Sequence, residues 1–315
     1  MSSATLGALR VEKAGPLATL QDVGRFGSRR LGMTQGGAAD LHAFAWTNHL
    51  IGNRWDAAAL EVVLGGLTLV AEQDTRLALG GADLQARVDD RPLTPWQAFT
   101  LSKGEQLVFG SPTSGVRAYL AVPGGFQGEP VLGSLSCVVR EGSGGHDGEG
   151  HPLAEGDRLF FSLAEQREIA GSLRKMPKAQ RLNYRQPAVL NLIPGAQIAD
   201  FTGGSLFRAF NHAWQVDTRA DRMGVRLTGP ALRCRHQRMI SEGIALGAVQ
   251  VPPDGQPIVL LNDRQTIGGY PRLGTLTPLA CARLAQCQPG EKVYFAATAL
   301  TQAQEAYRLF RQAFS

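Results

Sequence analysis

The chain has 315 residues, 43% of them hydrophobic and 19% charged, with a formal net charge of +5. That length allows one large domain or two medium ones, and a core of that size needs neither metal nor disulfide staples. The Lys and Arg are scattered, and the densest group, Arg233, Arg235, His236 and Arg238, lacks the interleaved aromatics of a nucleic-acid surface. No apolar run approaches the ~18 residues that span a bilayer, so no membrane partner is expected. No basic stretch followed by an apolar one opens the chain, so the cytoplasm is the expected location. The four cysteines, Cys137, Cys234, Cys281 and Cys287, show no CxxC spacing and are expected to be reduced.

Predicted strands run over 9–13, 59–64, 67–70, 75–79, 84–88, 98–101, 106–109 and 116–122. Their spacing of roughly 8–12 residues with turn residues between points to barrels or sandwiches. Asp89 and Asp90 predict a hairpin turn after 84–88. Between the first two strands, 19–40 holds Gln21, Asp22, Arg25, Arg29, Arg30 and five glycines. Its length and lack of apolar periodicity favour a functional loop whose approach to a helix start can hold an anion, and the plain alternative is a long irregular connection. Asp40 caps the one clear helix of the first half, which Gly52 and Asn53 stop. The glycine-dense segment 140–151 predicts a mobile loop. Its His146, Asp147, Glu149 and His151 fit no established ligand spacing, and no metal is expected there. A further strand is predicted over 158–163.

A basic, core-poor stretch, 167–186, is the expected boundary between lobes 1–175 and 187–315. The second half repeats the strand grammar at 188–193, 213–216, 224–227, 248–251, 258–261 and 292–295. Residues 277–284 read as a helix with Pro278 in its first turn. Residues 301–314 read as an amphipathic helix with Ala306, Leu309, Phe310 and Ala313 on one face. The fold class expected is mainly β with a few helices, in two lobes with a ligand cleft between them.

The densest polar run follows the strand 258–261: Asn262, Asp263, Arg264, Gln265 and Thr266, then Gly268, Gly269, Tyr270 and Arg272. Arg264 suits a bidentate contact with a carboxylate or phosphate. Asp263 either orients that arginine or serves as a general base, and the plain alternative is an Asp–Arg pair closing a barrel end. Arg219, Asp221 and Arg222 precede the strand at 224–227, as a second site wall or a solvated turn. Glu242 precedes an apolar stretch, as a base or a strand-end partner. The chain has no G-x-x-x-x-G-K-[ST], no G-x-G-x-x-G in a strand–helix context, no G-x-S-x-G and no Met-Lys-Met biotin attachment site.

Several segments together carry a resemblance. They are T-L-Q-D-V-G-R-F-G at 19–27, G-A-A-D at 37–40 and A-L-E-V at 59–62. G-V-R-A-Y-L-A-V-P-G-G-F follows at 115–126, R-M-G-V-R-L at 222–227 and S-E-G at 241–243. Last comes the long run 247–274, which includes Gln250. The chain resembles the biotin-dependent carboxyltransferase family, also called allophanate hydrolase subunit 2-like, over roughly residues 9–297. The resemblance implies two cyclophilin-like β-barrel lobes, carboxyltransferase subdomains A-like and B-like, with the active site in the cleft between them. Its stand-alone bacterial members include the C subunit of the ATP-dependent 5-oxoprolinase, which implies ATP use by a complex with A-type and B-type partner subunits. That complex opens 5-oxo-L-proline to L-glutamate.

Asp263, Arg264 and Glu242 are then the expected catalytic residues. Gln21, Asp22, Arg25, Asp40, Asp221, Arg222, Gln250, Gln265, Tyr270 and Arg272 are the expected substrate contacts. A biotin-dependent carboxyltransferase acting on a urea-type substrate is the first alternative. A non-catalytic regulatory partner of a kinase inhibitor that is itself like the B-type subunit is the second. The chain departs from the family pattern at Phe26, at Thr34, Gln35, Gly36 and Gly37, at Ala39, and at 133–137, where G-S-L-S-C stands for G-S-R-S-T.

Overall fold

The computed structural model describes residues 6–168, 174–236 and 239–314. Part of the expected linker 167–186 and Arg238 of the basic cluster therefore lie outside the described residues. The chain divides into two compact units. One takes the chain up to Phe26 together with Gly36–Asn183, and the other takes Gly27–Gln35 with the chain from Tyr184 onward. The break thus falls at Asn183/Tyr184, inside the expected linker. Nine residues of the expected first lobe, Gly27–Gln35, go with the second unit.

The first unit is built from antiparallel strands in two sheets. The six-stranded sheet runs Arg158–Ser162, Leu6–Lys13, Thr68–Ala71, Gln106–Val108, Arg87–Val88, Arg91–Pro92. The five-stranded sheet runs Leu17–Gln21, Ala59–Val63, Ser114–Ala121, Thr75–Asp83, Gln97–Leu101. Alternation sorts the side chains. Leu60, Val62, Ala118 and Leu120 enter one apolar core with Leu20, Leu79 and Phe161. Their neighbours Glu61, Arg117 and Tyr119 point to the opposite face, where the helix Leu41–Leu50 packs and Phe44 meets Tyr119 edge-on at 6.1 Å. The helix covers this face, so Glu61, Arg117 and Tyr119 are buried despite their polar groups. The expected hairpin at Asp89–Asp90 is present, pairing Val88 with Arg91.

The second unit is a closed barrel of seven strands: Ala188–Pro194, Arg272–Leu276, Ala248–Gln250, Ile258–Leu260, Gly224–Thr228, Trp214–Val216 and Lys292–Ala297. The parallel pairing of Lys292–Ala297 with Ala188–Pro194 closes it. Leu190 and Leu192 point into the barrel core beside Trp214, Leu227, Val259 and Phe295, while Val189 and Asn191 face outward. Trp214 is fully buried and donates its indole N–H to Ala209 O at 3.1 Å. A two-stranded ladder, Glu242–Gly243 with Ile267–Gly268, stands apart from the barrel strands. Mainly β with a few helices is therefore the architecture. Among the described residues no helix is long and apolar enough to cross a membrane.

The barrel explains one glycine. A Cβ on Gly274 would lie 2.2 Å from Ile193 O and 2.6 Å from Leu192 Cδ2, because Arg272–Leu276 pairs closely with Ala188–Pro194 there. Gly274→Ala is expected to lower stability by about 1–3 kcal/mol through overpacking, measured as a fall in the urea midpoint. An unchanged midpoint would mean that the strands part without cost.

Three sequence expectations need correcting. The start of 19–40 is not irregular, because Leu17–Gln21 is a buried strand paired with Ala59–Val63. The segment 140–151 is tied into the fold: Gly145 N donates to Leu135 O at 2.9 Å and Gly150 N to Gly144 O at 2.7 Å. The last helix, Leu300–Gln312, buries Ala303, with Tyr307 and Phe310 half-buried on the same side, and Leu309 and Ala306 are exposed. The true contact stripe lies about one position around the helix from the one read from the sequence.

Candidate functional site

In the barrel, Gly224 lies opposite Leu260, so the chain entering one strand and the chain leaving the other emerge at the same end. Arg222 and Asp263 meet there. Arg222 Nε donates to Asp263 Oδ2 at 2.9 Å and a terminal nitrogen donates to Oδ1 at 3.0 Å. The backbone repeats the link, with Asp263 N donating to Arg222 O at 2.8 Å. Both side chains are 8% exposed. The arginine that Asp263 holds is thus Arg222 and not its neighbour Arg264. Each carboxylate oxygen is engaged by a guanidinium, in the fork geometry that makes such pairs strong and directional. That arrangement positions the loop rather than presenting a free base.

Arg264 is 2% exposed, and its hydrogen bonds go to neutral oxygens. Its Nε donates to Ile244 O at 3.2 Å, Nη1 to Leu261 O at 3.1 Å and Nη2 to Gln35 Oε1 at 3.4 Å. Burial, with the Arg29 charge beside it, lowers its pKa to about 10, so it remains a cation at neutral pH. Gln35 belongs to the Gly27–Gln35 segment that joins the second unit. Arg29 of that segment donates one terminal nitrogen to Ile244 O at 2.6 Å and to Thr266 O at 2.9 Å. Arg29 and Arg264 therefore share the carbonyl of Ile244.

Glu242 and Arg272 form a second pair, through Glu242 Oε2 and a terminal nitrogen of Arg272. Arg272 also donates to Gly243 O at 3.0 Å and to Gln197 Oε1 at 3.2 Å. Glu242 is about half exposed, so this pair faces solvent where Arg222–Asp263 does not. Tyr270 is exposed and Gln265 half-buried. Gln250 is buried, and its Nε2 has no hydrogen-bond partner among the described residues. That nitrogen lies so close to Gly268 that a Cβ there would come within 2.8 Å of it. Asp221 is exposed and closes its own turn, accepting from Met223 N at 2.8 Å and Gly224 N at 3.0 Å.

The remaining candidates belong to the first unit. Asp22 is held by four hydrogen bonds: Oδ1 accepts from Gly24 N, Ser134 Oγ and Ser136 Oγ, and Oδ2 accepts from Leu135 N. It therefore holds the 133–137 loop, one of the places where this chain departs from its family pattern. Arg25 donates to Ser136 O at 2.5 Å and Val131 O at 3.2 Å. Gln21 donates to Cys137 O at 3.0 Å. Asp40 caps the helix Leu41–Leu50 as expected, accepting from Ala43 N at 2.9 Å.

A buried polar network in this unit escaped the sequence reading. Glu61 Oε2 accepts from Tyr119 Oη at 2.6 Å and from Ala39 N at 2.9 Å, and Tyr119 Oη in turn accepts from Asp40 N at 2.8 Å. Arg117 Nε stands 3.7 Å from Glu61 Oε1. Burial, then the charges of Glu61 and Asp40, push the Tyr119 pKa well above 10, so the phenol stays neutral. A signal was present: one carboxylate in an otherwise apolar strand, and Arg117 and Tyr119 two residues apart on one sheet face. Elsewhere in the unit, Asp147, Glu149 and His151 bring metal-type donor atoms within 4.8 Å of one another at the surface. Asp147 and His151 already satisfy each other at 2.6 Å.

Residues 31–297 match the family described as carboxyltransferase domain, subdomain A and B. The chain belongs to that family. Within it, the chain is 36% identical to the 5-oxoprolinase C subunit of Escherichia coli (strain K12), over 96% of this chain and 97% of that protein. It is 35% identical to the 5-oxoprolinase C subunit of Haemophilus influenzae, over 94% and 92% respectively. The crystal structure of the K. lactis urea amidolyase superposes with a TM-score of 0.89 over 98% of this chain at 24% identity. This chain spans 20% of that much longer protein. The carboxyltransferase match contains the Glu61 network and every candidate residue of the barrel end from Asp221 to Arg272.

Proposed function

We propose that this chain is the C subunit of an ATP-dependent 5-oxoprolinase, working in the cytoplasm with A-type and B-type partner subunits to open 5-oxo-L-proline to L-glutamate. The observation that carries this reading is the 36% identity to a 5-oxoprolinase C subunit over nearly the full length of both chains. In this reading 1–175 and 187–315 correspond to carboxyltransferase subdomains A and B. Phosphorylation of the lactam oxygen by ATP makes the ring carbonyl carbon electrophilic. Water then adds there, the C–N bond opens as its nitrogen takes a proton, and a second water releases inorganic phosphate from the resulting acyl phosphate to leave L-glutamate.

The solvent-facing Glu242 is the group assigned to move protons, and Arg272 beside it offsets developing negative charge. Arg222–Asp263 and Arg264 are assigned to hold the loop that carries Gln265 and Tyr270 against the substrate. Gln250 and Asp221 flank that loop, and Gln21, Asp22, Arg25 and Asp40 are assigned as further substrate contacts.

Lactam-dependent ATP hydrolysis by the co-purified subunits tests the reading. Glu242→Gln is expected to lower turnover by about 10²–10⁴-fold. Normal turnover by that variant would remove Glu242 from the chemistry. A second reading, carboxyl transfer from a biotin carrier supplied in trans, is favoured by the family itself and by the urea amidolyase fold match. It is distinguished by saturable binding of free biotin together with no lactam-dependent ATP hydrolysis.

A further inference from the structure

The second unit carries a concentration of positive charge that its own carboxylates do not answer. Arg29, Arg30 and Arg264 lie within or beside the Gly27–Gln35 segment and the ladder it packs on. Among the described residues none of the three has a carboxylate oxygen within 4.0 Å. The nearby Asp263 is committed to Arg222. Arg264 is almost wholly buried and its oxygen partners are all neutral, so they solvate its charge without cancelling it. Burying cations this way is costly unless an anion completes the set.

An open groove of about 510 Å³ lies against this cluster, lined by Arg29, Arg30, Gly32, Gly243, Ile244 and Thr266 with Ile267. Arg29 is fixed in it. One terminal nitrogen is used up on the carbonyls of Ile244 and Thr266, while the other, Nη1, is buried with no hydrogen-bond partner among the described residues. Arg30 is exposed on the rim. The exposed Ile267 supplies an apolar side. A held guanidinium, an exposed one at the rim and an apolar side suit a small molecule with an oxyanion head and a short hydrocarbon body.

We propose that this groove binds the carboxylate or phosphate group of a small ligand, with the held Arg29 guanidinium supplying fixed positive charge and the exposed Arg30 donating directly. All its lining residues belong to the second unit, and the assignment rests on the groove's charge and not on the reaction proposed above. A substrate carboxylate and a nucleotide phosphate share this chemistry, and the probes separate them.

The experiment is titration calorimetry of the full chain with 5-oxo-L-proline, with ADP and with inorganic phosphate, each at low and high salt. Saturable binding of at least one, weakened by salt, is expected. Preference for 5-oxo-L-proline identifies the carboxylate, and preference for ADP or phosphate identifies the phosphate. Arg30 is exposed, so Arg30→Ala is expected to fold normally and weaken that binding about tenfold or more. Arg29→Lys keeps the charge but loses the fork, and is expected to weaken binding further. No saturable binding of any probe, or binding that Arg30→Ala and Arg30→Glu both leave unchanged, overturns the proposal.

Discussion

Asp263→Ala is expected to lower the stability of the second unit by about 3–5 kcal/mol, because it takes the carboxylate from a guanidinium that is itself buried. Both side chains are 8% exposed and joined by two hydrogen bonds of 2.9 and 3.0 Å, so solvent cannot replace what is lost. The measurement is hydrogen exchange of the barrel strands, with urea unfolding of wild type, Asp263→Ala, Arg222→Met and the double variant. The double variant is expected to cost less than the two single changes summed, since it leaves neither charge behind. A loss near the ~0–1 kcal/mol of a surface pair would show that the two groups do not meet as described. The same result bears on chemistry. A carboxylate with both oxygens held by an arginine orients a loop, and activity lost in Asp263→Ala in parallel with barrel stability would reflect that role.

How much of this was legible in the sequence depended on whether the signal was local. The capped helix after Asp40 and the helix after Thr277 are written in neighbouring residues, and both formed. The strand Leu17–Gln21 was lost inside a glycine-rich run because its alternation is short and both its faces are covered. The helix Gly203–Asn211 was missed because it opens on two glycines, although Thr202 caps it through Ser205 N. The polar run at 262–272 was correctly seen as dense, yet its pairing was not. Asp263 takes Arg222, 41 residues earlier, because two barrel strands end together, and adjacency in sequence says nothing about that. Arg29 was read with the first lobe, and only the three-dimensional division puts it against Ile244 and Thr266. Departures from periodicity, such as Glu61 alone in an apolar strand, carried more information about polar networks than the composition of any loop did.

Glu61→Ala is the second change expected to have a large effect, again about 3–5 kcal/mol, now in the first unit. It removes the acceptor of Tyr119 Oη at 2.6 Å and of Ala39 N at 2.9 Å, and the carboxylate facing Arg117, all at a position with no exposure. Glu61→Gln keeps an acceptor in place and is expected to cost less, so the difference between the two variants separates the hydrogen bonds from the charge. The Tyr119 proton gives an independent check. The folded pKa of this phenol is raised, so above about pH 10 the unfolded chain releases a proton that the folded chain retains. The folded state then binds more protons than the unfolded one, and stability falls as pH rises through that range. Tyr119→Phe is expected to flatten this alkaline slope. An unchanged slope in Tyr119→Phe would mean that the phenol is reached by solvent and that Glu61 is not sealed beneath the helix Leu41–Leu50.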